Sequence, residues 1–456
     1  MLDGPPNIDA SAPRAWVVTA DMGLGHQRAA YPLAYMAEGG IITAGDPEVT
    51  DPGEAKLWRR IRGLYEFISR TKEMPLIGPF IFRRMDYMLR IPAFYPLRDL
   101  SKPAPNNFIV DYLISRGLGK TLMRKLESPI RESAGKKKLP MISTFYAPSL
   151  VADHYKYSPI YSVLCDADIN RVWAVSNPRE SGISYFAPCG RVMRRLRAYG
   201  VPDERIFITG FPLPRENIGS PNMEILKADL LKRLGRLDPR GRFASVFGTT
   251  LEELLGGVPT PTSNEPVTVT FAIGGAGAQV EIGQQLATSL KSKIQEGSYR
   301  LKFVVGINRA IERGFIEYLI HIGLDSRINN GIEIICEDSK FAYFERFNRA
   351  MRETDILWTK PSELSFYSAL GVPIVTAPTI GSQEDKNQKW LMDKGCALPQ
   401  YTPLFAAEWL QDMLKDGILA EKAFNGFIKN RRLGVYKIEE VLKTGTMKRE
   451  TDPLKR

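Results

Sequence analysis

The sequence predicts an α/β protein built from two parallel, doubly wound units. Three observations carry that expectation. Short apolar segments alternate with helical segments in two series, one on each side of a stretch rich in Gly, Pro, Thr and Arg. The apolar segment 267–273 runs straight into Gly274-Gly275-Ala276-Gly277-Ala278 and then a helix. Residues 357–397 hold two strand-to-helix junctions, each able to present a helix N-terminus to an anion or a sugar.

In the first series, residues 15–20 predict a strand, Gly23 to Gly25 a turn and 26–38 a helix. Segments 141–144, 160–164 and 205–209 predict further short buried strands, bounded by prolines, glycines and polar residues. Between them, 54–133 reads as a basic helical insertion. The pattern breaks near 211–214, so 1–215 is expected as the first domain. Residues 216–266 are expected as a linker with one short helix at 251–255. The second series places strands at 267–273, 301–306, 332–336, 356–358 and 373–376, each followed by a helix, within a domain spanning 267–402. Residues 403–456 are expected as C-terminal helices crossing back to the first domain, which makes a two-domain cleft protein.

At 456 residues the chain is long enough for two or three full cores, and 44% hydrophobic with 25% charged residues is ordinary for a globular protein. Four dispersed cysteines without CxxC spacing exclude a zinc-ribbon or disulfide-scaffold class and fit a reducing cytoplasm. The N-terminus shows neither the basic nor the apolar region of a signal peptide, and no apolar run approaches the ~20 residues that span a bilayer. A cytoplasmic protein, peripheral at the inner membrane face, is therefore expected. The net charge of +11 is concentrated: residues 56–131 hold 16 Lys/Arg against 6 Asp/Glu, interleaved with aromatics. Residues 56–138 can meet an anionic membrane surface, or form a solvated helical face. No nucleic-acid motif appears, so no nucleic-acid partner is expected.

Three places carry chemistry. The small residues Gly274 to Ala278 let backbone N–H groups approach phosphate oxygens, although the segment lacks both the GK[ST] ending of a P-loop and a full GxGxxG; a tight strand–helix turn is the alternative. Asp21-Met22-Gly23-Leu24-Gly25-His26 puts a histidine at a helix start after two glycines, where an imidazole can take a proton; a capping or core histidine is the alternative. The other two histidines, His154 and His321, fall in mid-helix by the same reading. Asp166 and Asp168 follow the strand at 160–164 and precede Asn170, Arg171 and Trp173, a pattern that suits a base, metal ligands, sugar-hydroxyl acceptors or plain loop solvation.

Together these pieces resemble glycosyltransferase family 28, which includes monogalactosyldiacylglycerol synthases, processive diacylglycerol glucosyltransferases and the glucosaminyltransferase that forms lipid II. DMGLGHQRAA resembles the family's GGGH-x-x-AA loop, and CDADINRVW its T-D-x-x-x-H-x-x-W segment. YGVPDERIFITGFPLP resembles its hinge, while TKPSELSFYSALGVPIV and GSQEDKNQKWLMDKGCA resemble its donor motifs.

The resemblance implies a GT-B architecture, two Rossmann-like doubly wound domains facing a cleft. It implies an inverting hexosyl transfer from a nucleotide-diphosphate sugar, UDP-linked by analogy, to a lipid or lipid-linked acceptor, without cofactor or metal. His26 and Asp166 take the catalytic positions. Gly274, Gly275, Ala276 and Gly277 fall on the phosphate loop, and Lys360, Pro361, Ser362, Glu363, Leu364, Ser368, Gln383, Glu384 and Asn387 on the rest of the donor site. Gly23, Gly25, Asp168, Asn170 and Trp173 fall on the acceptor side. Two positions depart from the family: Ser368 stands where its ribose-binding Glu is, and Asn170 where its second histidine is. A non-catalytic nucleotide-sugar or lipid-binding protein of the same fold, and a nucleotide-sugar epimerase, are the alternatives.

Overall fold

Every strand of the two sheets lies parallel to its neighbours, so each connection must cross over, and helices supply the crossovers. The computed structural model describes residues 11–47, 50–71, 91–132, 138–262, 264–273, 279–379 and 381–452. The chain divides into two units. One takes the described residues up to Pro212 with Gly381–Lys386 and Gly434–Arg449; the other takes those of Leu213–Ile380, Asn387–Leu433 and from Glu450 onward.

The first sheet has β1 (Trp16–Ala20), β2 (Ile42–Ala44), β3 (Met141–Ser143), β4 (Ile160–Val163), β5 (Ile183–Phe186) and β6 (Ile206–Phe207), in the order β2-β1-β3-β4-β5-β6. All five residues of β1 are buried, as a strand covered on both faces requires. Val17 pairs with Ile142 of β3 and Val18 with Ile42 of β2. The order reverses direction between β1 and β3, which makes their C-terminal ends the topological switch point.

The second sheet has β7 (Val267–Ala272), β8 (Tyr299–Gly306), β9 (Ile332–Cys336), β10 (Ile356–Thr359), β11 (Ile374–Thr376) and β12 (Ala397–Pro399). Its order β12-β11-β10-β7-β8-β9 is the 3-2-1-4-5-6 Rossmann arrangement, with the switch point between β7 and β10. Two such sheets establish the α/β class with two Rossmann-like units, the pair of domains that makes up a GT-B protein.

Several local expectations need correction. The segment 216–266 holds more helix than the one short helix expected at 251–255. It forms helices Glu224–Leu237 and Arg242–Leu255, and the first buries Leu226, Leu230, Leu234 and Leu237 at helical spacing. Arg233, on the same helix, is buried and donates to the carbonyls of Thr354, Met351 and Leu370, which binds this segment into the second unit. The first helix covers only Leu24–Ala30; Pro32, with no N–H to give, sits at the start of the 3-10 helix Tyr31–Met36 that follows. β2, β5 and β12 are additional strands of three or four residues, too short to show a period in sequence. His154 and His321 end their helices, Tyr146–His154 and Arg309–His321, rather than lying within them.

The basic insertion contributes helices Pro52–Thr71, Pro105–Ser115 and Lys120–Glu132, while 72–90 lies outside the described residues. Glu54, which is buried, accepts from the backbone N–H groups of Gly119 and Thr121 and from Trp58 Nε1, tying two of these helices together. The last helix, Gly434–Thr444, belongs to the first unit, where Tyr35 Oη donates to Glu439 at 2.9 Å.

Candidate functional site

In the first unit the switch-point side chains come from three loops. After β1 the backbone turns at Gly23, whose φ of 101° is costly for any residue with a Cβ, and this turn starts the helix that carries His26. His26 is half-buried, and its Nδ1 lies 2.8 Å from the carbonyl oxygen of Thr144, the residue after β3. A carbonyl can only accept, so Nδ1 carries the proton, and in the neutral imidazole the lone pair is on Nε2. The ring sits edge-on to Phe145 at 4.9 Å and is tilted against Trp173 at 6.1 Å. Tyr146 packs on both Phe145 and Trp173. Thr144 is itself held, its hydroxyl donating to Thr19 Oγ1 at 3.0 Å. Gly25 is half-buried beside His26, and Gln27 Nε2 donates to Asp21 at 2.9 Å.

The turn after β4 carries Asp166, which is half-buried, and two buried residues expected on the acceptor side, Asp168 and Asn170. Asp168 is fully buried. Its Oδ1 accepts from Ile169 N and Arg195 Nε, and its Oδ2 from Arg195 Nη2 and Arg191 Nε, all at 2.7–3.0 Å. Both oxygens are held by arginines of the helix Gly190–Ala198, which makes this carboxylate their buried counter-ion. Burial pulls the Arg195 pKa down, and the bond and charge of Asp168 more than reverse this, leaving it raised. Asn170 is buried too, and its Oδ1 accepts from Val172 N and from Asn106 Nδ2, capping the short helix Arg171–Trp173 and fastening the helix Pro105–Ser115 to it. Trp173 is buried against Tyr146 and His26. Thr144, Phe145 and Tyr146 were not among the expected site residues, although they end and follow the strand predicted at 141–144, where open α/β sheets hold their ligands.

In the second unit the expected phosphate loop, Gly274, Gly275, Ala276, Gly277 and Ala278, lies outside the described residues. The chain resumes at Gln279, whose φ of 83° is left-handed and whose Nε2 donates to the Pro378 carbonyl, before the helix Val280–Gln295. Ala272 of β7 pairs with Thr359 of β10, so the turn Lys360-Pro361-Ser362 leaves the strand next to β7. Asn387 is fully buried and donates to the Pro361 carbonyl at 3.2 Å. Gln383 and Glu384 are in the first turn of the helix Ser382–Lys394.

After the turn the chain forms a 3-10 helix, Glu363–Leu370, in which Glu363 is half-buried and Leu364 to Leu370 are all buried. Ser368, expected on the donor side, is fully buried in this helix. Its hydroxyl donates to the Ser365 carbonyl at 2.6 Å and accepts from Asn430 Nδ2 at 2.9 Å, with no exposed surface. The helix Ile418–Lys429 covers it, close enough that a Cβ on Gly426 would overlap the Ser368 carbonyl. Among the described residues no three His, Cys, Asp or Glu side chains gather as metal ligands, and no described helix is long and apolar enough to cross a membrane.

The family model described as a domain of unknown function, DUF6938, matches residues 313–439. No curated protein matches the chain by sequence. Among solved structures, Acinetobacter baumannii MurG is similar at 12% identity, covering 94% of this chain and 99% of that one with a TM-score of 0.47. The Staphylococcus aureus MnaA–UDP structure is similar at 11% identity, covering 94% and 96%, with a TM-score of 0.46. The UDP-GlcNAc 2-epimerase from Neisseria meningitidis, bound to UDP-GlcNAc, is similar at 11% identity, covering 91% and 100%, with a TM-score of 0.41. Likenesses this distant add nothing to the fold that the two sheets already establish.

Proposed function

We propose that this chain is a nucleotide-sugar-dependent glycosyltransferase that moves a hexose, with inversion, to a hydroxyl of a lipid or lipid-linked acceptor. The observation that carries the reading is the Nδ1 bond of His26 to the Thr144 carbonyl at the switch point of the first sheet. It sets the tautomer a general base needs. In the proposed step Nε2 takes the proton of the acceptor hydroxyl as its oxygen attacks the anomeric carbon, and the bond from that carbon to the diphosphate breaks. The nucleoside diphosphate leaves with the bonding pair. Its charge is assigned to backbone N–H groups of the segment 274–278, with the turn Lys360–Ser362 beside them, and to no metal. Gln383 and Glu384 are assigned to donor-sugar hydroxyls, and Asp166 supports the acceptor side.

The lipid part of the reading is supported by the basic insertion, where Lys56, Arg59, Arg60, Arg116, Lys120 and Arg124 are exposed alongside Phe108, Ile109 and Tyr112. Co-sedimentation with anionic vesicles that fails at low salt removes that part alone.

A panel of radiolabelled nucleotide sugars with total lipid extract tests activity. No product from any donor, with folded protein, defeats the transferase reading. The variant His26→Ala is expected to lose roughly 10²–10⁴-fold in turnover while nucleotide binding is unchanged; full turnover removes the assignment of the base.

The inward-facing bonds of Ser368 favour a second reading, a protein that binds a nucleotide sugar without transferring it. Thermal stabilisation by a nucleotide sugar without product separates the two. Epimerase activity shows as a changed sugar in the absence of acceptor, and with Asp168 held by two arginines it has Asp166 as its acidic candidate.

A further inference from the structure

The N-terminal edge of the second sheet, remote from the proposed donor site, carries a cavity of about 440 Å³. Its walls come from four elements: the helix Glu224–Leu237, the start of β7, the start of β8 and the last turns of the helix Lys340–Glu353. From this edge β7 runs six residues to Ala272, about 20 Å at the ordinary rise of a strand.

Five cations line the cavity, Lys232, Arg236, Arg300, Arg349 and Arg352, against three carboxylates, Asp229, Glu265 and Glu353. Each carboxylate is already engaged. Asp229 holds Arg352 in a two-point pair at 2.8 and 3.2 Å, Glu265 accepts from Arg236, and Glu353 from Lys302. Arg236 is also bound to the fully buried Asp355. Arg349 pairs outward with Glu345 on its own helix. Lys232 and Arg300 have no ion pair among the described residues, and both are exposed.

A basic residue in the last turn of a helix favours that helix, which accounts for Arg352. It does not account for Arg300, at the start of a strand, nor for the convergence of separate elements on one hollow. The local field is positive. Burial pushes the Glu353 carboxyl up, yet the bond and charge of Lys302, then the charges of Arg300 and Arg346, bring it below the ordinary glutamate value.

We infer that this cavity binds a small molecule carrying two or more phosphate charges, at a site separate from the donor site. Guanidinium forks match phosphate oxygens in pairs, and the exposed Lys232 and Arg300, outside any ion pair among the described residues, supply the attraction. The volume accommodates a pyrophosphate or a nucleoside diphosphate.

The test is calorimetric titration of the full chain with inorganic pyrophosphate at low salt. It compares the unmodified protein with K232E/R300E, with the milder K232A/R300A, and with R313E, an exposed control on the helix Arg309–His321. The proposal expects one binding event weakened by roughly tenfold or more in both double variants, the scale of losing charged hydrogen bonds, and unchanged in R313E. Any binding at the glycine segment remains in all of them as a separate event. The same affinity and stoichiometry in every protein overturns the inference, as does equal weakening by R313E or no binding at millimolar pyrophosphate. The outcome does not depend on whether the chain transfers sugar.

Discussion

The turns after β4 and after β10 look alike in sequence: each follows a short buried parallel strand and each carries polar residues suited to a ligand. The folded chain treats them the same way at their centres and differently at their margins. In the first unit Asp168 is drawn under the helix Gly190–Ala198 and held by two arginines, while His26, from the neighbouring loop, is tied through one ring nitrogen and stays half-buried. In the second, the helix Ile418–Lys429 closes over Ser368, and the half-buried polar positions are at the ends, Lys360, Ser362 and Glu363. Whether a polar residue is available to a ligand is decided by the helix that packs over it, not by its type.

The strongest test of that view is Asp168→Ala. It leaves Arg195, almost wholly buried, with the carbonyl of Pro92 but without its counter-ion. Removing one partner of a buried pair costs about 3–5 kcal/mol, and urea denaturation followed by far-UV circular dichroism should show a loss of that size. A variant as stable as the parent places Asp168 back among the ligand residues.

Ser368→Glu restores the carboxylate that the resemblance leads one to expect. Facing Ser365, Asn430 and the covering helix, it is buried without a cation, at a cost of roughly 2–4 kcal/mol. Titration with UDP and other nucleotides should show no gain in affinity. Tighter binding by the glutamate variant means the 3-10 helix opens to ligand after all. Gly426→Ala probes the cover itself, since its methyl group overlaps the Ser368 carbonyl and the helix must move outward. Overpacking of this kind costs about 1–3 kcal/mol, read as a lowered urea midpoint. An unchanged midpoint indicates a loosely seated helix.

Much of the fold was legible. Two series of buried strands and the junctions after β10 and β11 are local patterns, and local patterns survive folding. The misread segment 216–266 was also legible in part: Leu226, Leu230, Leu234 and Leu237 mark a helix face, but the glycines and prolines beyond it outweighed them in the reading. The site was less legible, because contacts across long sequence separations decide it. His26 and Thr144 are 118 residues apart, and Ser368 and Asn430 are 62 apart. No window of sequence shows that Asp168 faces arginines or that Ser368 faces a helix. The cationic cavity at the N-terminal edge of the second sheet escaped for the same reason, since its residues run from Asp229 to Glu353.

The smallest expected effect lies at Asn170, where the resemblance places a histidine. Its side chain does two structural jobs at once, accepting from Val172 N as a helix cap and from Asn106 Nδ2 across 64 residues. Loss of a cap of this kind costs typically ~1 kcal/mol, so Asn170→Ala should be only slightly less stable. The second job makes the variant informative. Asn106 belongs to the helix Pro105–Ser115, whose neighbour Asn107 donates to the Ala174 carbonyl, and the two together fasten the basic insertion beside Trp173 and His26. Hydrogen exchange should therefore quicken in 105–115 more than in the three residues that Asn170 caps. Exchange that rises only at Val172 shows the cap to be the whole of its role, and leaves the anchoring of the insertion to Asn107 and to Arg171, which donates to the Ser101 carbonyl.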